Sequence, residues 1–164
     1  MEKKISSHIL KALVIAGLMM AWILVSGKLH IPLNGSLQFV PYIILVVGII
    51  VSCFIFSQQM GGKLKFGDLF SHGFKTTALV ALLMAVFTFI TVQYINPPPS
   101  AAEIEDAIKS VQAQNNLMPN EAREMVLEGE KRQWIIFVSS AIFTSLISGL
   151  LGSLAGAAIA QKNQ

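Results

Sequence analysis

The sequence predicts an all-α integral membrane protein: a four-helix bundle with an extramembrane helical hairpin between its third and fourth spans. Three observations predict this. Hydrophobic residues make up 54% of the 164-residue chain and charged residues only 13%, about half the charged share of a typical soluble domain. The apolar residues gather into four runs, each close to the ~20 residues that cross ~30 Å of hydrocarbon. Lysines and arginines flank those runs instead of forming one stripe. That is membrane patterning and speaks against nucleic acid as a partner. The chain, 1–164, reads as a single membrane domain whose first partner is the lipid bilayer.

The first span is expected at about 8–27, where "ALVIAGLMMAWILVSG" lies between Lys11 and Lys28. Its basic start resembles a signal peptide, but the run is long for one and more spans follow. The second is expected at about 40–59. Pro32, Asn34 and Gly35 mark a turn before it, and Pro41 suits the first turn of a helix, where its missing N–H does no harm. Gly61 or Gly62 can close it in the left-handed conformation. The linker "KLKFGDLFSHGFK" mixes phenylalanines and leucines with lysines, an interfacial pattern that leads into a third span at about 74–94. Pro97 to Pro99 forbid that helix from continuing. The fourth span, about 134–160, carries no charge, with Trp134 at its interfacial end and Lys162 beyond.

The segment 96–133 is the sizeable polar piece. Ser100 and Glu103 fit a capping box that starts a helix. Behind them Ile104, Ile108 and Val111 fall on one helical face, opposite Glu105, Asp106 and Lys109. "QNNLMPN" breaks that pattern. A second helix is expected from Asn120, with Glu121 and Glu124 in its first turn and Ala122, Met125, Val126 and Gly129 on its less polar side. It can run into the fourth span, with Gly129 as the weak point. The apolar stripes either pack on each other as a cap or lay one helix on the membrane surface. Seven acids against four bases suit anionic lipid poorly.

Orientation follows from the bases near span ends. Lys3, Lys4, Lys11, Lys63, Lys65, Lys75 and Lys162 fall on one side; Lys28, Lys109, Arg123, Lys131 and Arg132 fall on the other. Both termini are therefore expected in the cytoplasm, in an inner membrane, with the acidic loop outside.

The parts of soluble chemistry are missing. No phosphate loop matches, the three histidines lack metal-ligand spacing, and the serines and threonines of the last span have no evident base. Cys53 reads as a small buried apolar residue. No catalytic, cofactor or metal residue is assigned, and no enzyme activity is expected. Lys11 is read as a snorkelling end residue, and His8, His30 and His72 as flanking or loop residues. That leaves the membrane cores without an ionisable group, which counts against a proton-driven pump.

One pattern inside the membrane stands out. Ser148, Gly152 and Gly156 recur every four residues, and Ser145, Gly149, Ser153 and Ala157 repeat the spacing on the adjacent face. Small residues let helices approach closely. They serve either packing within one bundle or a homo-oligomer contact through the fourth span. Ala12 with Ala16, Gly17 with Ala21, and Ala81 with Ala85 offer similar faces.

Taken together, the short N-terminus, two spans, "KLKFGDLFSHGF" entering the third, "INPPPSAAEIEDAIKSVQAQNNLMPNEAREM" and a Ser/Gly-rich last span resemble domain-of-unknown-function family 4199 over nearly the full length. The resemblance implies a bacterial inner-membrane protein with four spans, and brings no substrate and no catalytic residue. The expected function is that of a small envelope binding or accessory protein acting through a protein partner or self-association. The alternative is an oligomeric channel lined by Ser139, Ser140, Thr144, Ser145, Ser148, Thr88 and Thr91. A membrane-embedded enzyme using His30 or His72 comes third.

Overall fold

A computed structural model describes residues 8–29, 35–95 and 99–162. It is built from five α-helices: α1 His8–Lys28, α2 Val40–Gln59, α3 Phe66–Ile90, α4 Ala101–Asn115 and α5 Pro119–Lys162. A short 3-10 turn, Gly35–Phe39, leads into α2, and a wider π-helical turn, Thr91–Ile95, ends α3. Four helical stretches are long and apolar enough to cross a membrane: His8–Lys28, Leu37–Gln59, Phe66–Ile95 and one within Pro119–Lys162. The expected turn at Pro32 and Asn34, together with Asn96, Pro97, Pro98 and His30, lies outside the described residues.

The helix ends follow local chemistry. Pro41 occupies the first turn of α2. Past its end, Gly61 and Gly62 both take positive φ, at 74° and 67°, a region closed to most side chains. α3 starts at Phe66, well before the expected 74, because the Asp68 carboxylate accepts the Lys65 N–H at 3.2 Å and the linker winds straight into helix. The second polar helix also starts earlier than Asn120. Pro119 is its first residue, and the Glu121 carboxylate accepts the Met118 N–H at 3.2 Å. From there α5 is unbroken through Gly129, where a Cβ would meet open space.

The chain divides into two compact units, one of Met1–Phe87 with Ala141–Gln164 and one of Thr88–Ser140. In the first, the buried core is made of Ala12, Ile15, Ala16 and Met19 from α1, Leu45, Ile49 and Cys53 from α2, Leu69, Val80 and Met84 from α3, and Ala157 and Ala160 from α5. Large apolar side chains point the other way on every helix, as Leu18, Val47, Leu82 and Leu151 do. A solvent of hydrocarbon explains this. Lipid tails accept leucine as readily as a core does, so close helix packing selects for small residues inside. Two buried hydroxyls are satisfied within their own helices: Ser26 Oγ donates to the Trp22 carbonyl at 2.6 Å and Thr76 Oγ1 to the His72 carbonyl at 2.8 Å.

In the second unit α4 is the amphipathic helix expected. The Glu103 N–H donates to Ser100 Oγ at 3.3 Å, and the Ser100 N–H donates to the Glu103 carboxylate at 2.7 Å. Asn116 closes the helix in the left-handed conformation at φ 51°. Ile104 and Ile108 share a cleft with Leu127 and Arg123 of α5, so the apolar stripe of α4 faces α5. Ala122 is fully buried, whereas Met125 is exposed. Phe89 and Trp134 meet edge to face, with centroids 5.5 Å apart.

The capping box supplies a pH-dependent prediction. The Ser100 N–H, and after it the Ser100 hydroxyl, hold the Glu103 carboxyl below its ordinary value. A carboxylate with a depressed folded value stabilises above its unfolded value and loses that contribution as pH falls through the folded one. Amide exchange at Ala102 to Ile104 should therefore accelerate on acidification beyond the intrinsic rate. Glu103→Gln should remove most of that pH dependence, and an unchanged profile would show that the box does not hold the helix end.

Candidate functional site

Three polar side chains from three helices meet inside the first unit. Lys11 on α1 donates from Nζ to the Ser52 carbonyl of α2 at 3.2 Å and lies 3.3 Å from His72 Nε2 on α3. Ser52 Oγ lies 3.3 Å from the same nitrogen. An ammonium only donates, so its contact leaves Nε2 as acceptor and places the ring proton on Nδ1. Phe56 stacks on the His72 ring at 4.0 Å, nearly parallel, and its own face lies 5.5 Å from the Lys11 ammonium. His8 adds an edge contact to His72 at 6.4 Å.

This arrangement corrects the reading of Lys11 as a snorkelling residue and of His72 as a linker residue. Each is only 8% exposed. Because α3 begins at Phe66, His72 lies on the helix, one turn before Thr76 and two before Val80, which are both buried. Lys11 stands in the same relation to Ile15 and Met19 on α1. Tracing each inward stripe back by one more turn is the sequence signal that would have found both residues. The ammonium is satisfied by a carbonyl, an imidazole and a ring face. Among the described residues no carboxylate pairs with it, and the two ion pairs, Lys109–Glu105 and Arg132–Glu128, lie on exposed polar helix surface.

The small-residue stripe of α5 finds its partners within the chain. At Gly152 an added Cβ would come within 3.2 Å of the Val46 backbone, and at Gly156 within 3.0 Å of Ile50 Cα. That face lies against α2. At Gly149 a Cβ would collide with the Thr77 side chain, and Ser153 Oγ, which donates to the Gly149 carbonyl at 2.7 Å, lies 3.5 Å from Thr77 Oγ1. That face lies against α3. Ser145 and Ser153 are buried with it, and Ser148 is half-buried. Gly73 receives Cys53 Sγ and Ser153 Oγ, each 2.9 Å from where its Cβ would stand. Cys53, fully buried, is one of the small residues that bring α2, α3 and α5 together. Ala12, Ala16, Ala81 and Ala85 also point inward, whereas Gly17 and Ala21 point outward.

A groove of about 340 Å³ opens beside the cluster between α1 and α2. Lys11 and Ser52 are its polar residues, and the rest of its lining, including Val14, Leu18, Val51 and Ile55, is apolar. Gly48 forms the close crossing of the two helices, its missing Cβ leaving the space filled by Ile15 at 2.7 Å.

An all-helical bundle with apolar outer faces and a few buried polar groups is the architecture of a multi-pass membrane protein. The chain belongs to the family described as protein of unknown function (DUF4199), whose model matches residues 11–162. No curated protein and no solved structure matches it.

Two substitutions separate packing from the cluster. Gly152→Leu drives a side chain into the α2 backbone and should lower stability by about 1–3 kcal/mol, the usual cost of overpacking. Lys11→Met keeps the length of the side chain and removes a buried charge that has no carboxylate partner among the described residues, so thermal unfolding in detergent should be unchanged or shifted upward. A large drop in Tm for Lys11→Met would show that the cation is structural.

Proposed function

We propose that the protein is a small, non-enzymatic binding protein of the bacterial inner membrane, with both termini in the cytoplasm, acting through what it engages at the Lys11–Ser52–His72 cluster. The observation that carries the proposal is the ammonium of Lys11, buried without a carboxylate partner among the described residues. Ionisable groups inside membrane helices are costly and are characteristically functional. Ser52 and His72 stand close enough for a nucleophile and base, but among the described residues no carboxylate orients the ring, which supports binding over catalysis. The lysines near the span ends support the orientation. Self-association or an accessory contact with a protein partner would then use surface other than the Ser145–Gly156 stripe, whose two faces meet α2 and α3.

The alternative, a channel formed in an oligomer, draws on the polar line through Thr77, Ser153 and Ser145. Close contacts at Gly73 and Gly149 leave no room for a path along that line within one chain.

Flux separates the two readings. Vesicles carrying the purified protein should leak potassium and small neutral solutes no faster than empty ones. A leak that disappears in Thr77→Val or Ser153→Ala would replace the binding reading with the channel. A C-terminal reporter active only outside the cytoplasm should stay silent, and its activity would invert the topology.

A further inference from the structure

The groove between α1 and α2 and the cation at its end have the layout of an amphiphile. Lys11 and Ser52 stand at one end, and the walls beyond them are Leu10, Val14, Leu18 and Ile55. From Lys11 to Leu18 the wall of α1 runs roughly 10 Å along the helix axis. The volume, about 340 Å³, lies within the range of small-molecule sites. Val14 and Leu18 are each 56% exposed and Val51 48% exposed, so this groove opens sideways from the bundle along its length. In a membrane that opening faces lipid.

The polar end is suited to an anion. Lys11 is more than nine-tenths buried and lines the groove, and its contacts among the described residues are all neutral: the Ser52 carbonyl, His72 Nε2 and the Phe56 ring. It lies in the first turn of α1, near the end of the span, where a lipid headgroup meets its acyl chains. We propose that this groove binds one acidic phospholipid, its phosphate on Lys11 with Ser52 beside it and an acyl chain along Val14, Leu18, Val51 and Ile55. Charge complementarity selects the anionic headgroup, and the sideways opening selects a lipid already in the bilayer. The inference rests on the binding reading above and names the ligand.

The test uses the full chain, purified in detergent from vesicles of equal phosphatidylglycerol and phosphatidylcholine, with bound lipid counted by native mass spectrometry. One lysine near a membrane surface favours an anionic lipid by roughly fivefold, so wild type should retain phosphatidylglycerol over phosphatidylcholine by about that ratio. Lys11→Met should bring the ratio to about one while phosphatidylcholine binding stays as it was. Val51→Trp, which fills the groove and leaves the lysine, should lower retention of both lipids. Equal retention by wild type, an unchanged ratio in Lys11→Met or undiminished lipid in Val51→Trp each overturns the site. So does displacement of phosphatidylglycerol by equimolar oleate, which would make a free fatty acid the occupant. A Val51→Cys variant that crosslinks to a second copy at every lipid content would make that copy the occupant. None of these outcomes produces a solute leak, so the site can fail while the binding reading stands.

Discussion

Close approach of α5 to α2 and α3 at Gly149, Gly152 and Gly156 is the constraint on which the membrane unit depends. Lipid offers no hydrophobic gain for pressing one apolar helix on another, so van der Waals contact and buried hydrogen bonds must hold the bundle. Those glycines let the backbones of α2 and α5 come within reach of each other, and the hydroxyls of Ser153 and Thr77 fill the space left between α3 and α5. Cys53 acts in the same way, small enough to sit under Gly73 and Gly156.

That tight contact gives the polar cluster its meaning. Along α5 the inner surface is close-packed, and Ser153 bonds to its own helix and lies within reach of the Thr77 hydroxyl. Near the start of α1 the solution differs. Lys11 reaches into the space between α1, α2 and α3 and, among the described residues, takes neutral partners, a carbonyl, an imidazole and the ring face of Phe56. A hydrophobic side chain of similar length would serve packing as well. On the binding reading proposed above, the cation is explained by what it meets and not by what it holds together.

The polar hairpin follows other rules. Its helices are set by capping chemistry and by a short amphipathic stripe, and its ion pairs at Lys109–Glu105 and Arg132–Glu128 are exposed and weak. Ile104 and Ile108 share a cleft with Leu127 and Arg123, so the stripe of α4 faces α5. The start of α5 at Pro119 and the start of α2 near Pro41 use the same property, a residue with no N–H at a position that has no acceptor for one.

By itself the sequence determined most of what depends on local pattern, although the local caps at Lys65–Asp68 and Met118–Glu121 start α3 and α5 earlier than expected. Span number follows from run length, helix starts from Ser100, Glu103 and Pro41, stops from Gly61, Gly62 and the break at "QNNLMPN", and the small-residue stripe from four-residue spacing. These are short-range effects of backbone geometry and of hydrocarbon as solvent. Tertiary structure decided which faces meet. Gly17 and Ala21 have the same spacing as Ala12 and Ala16, yet only the second pair points inward. The cluster depended on it most. Lys11, Ser52 and His72 are dozens of residues apart, and each read alone is an ordinary helix-end or small polar residue. Their chemistry arises only when three helices bring them within hydrogen-bonding distance and shut out water.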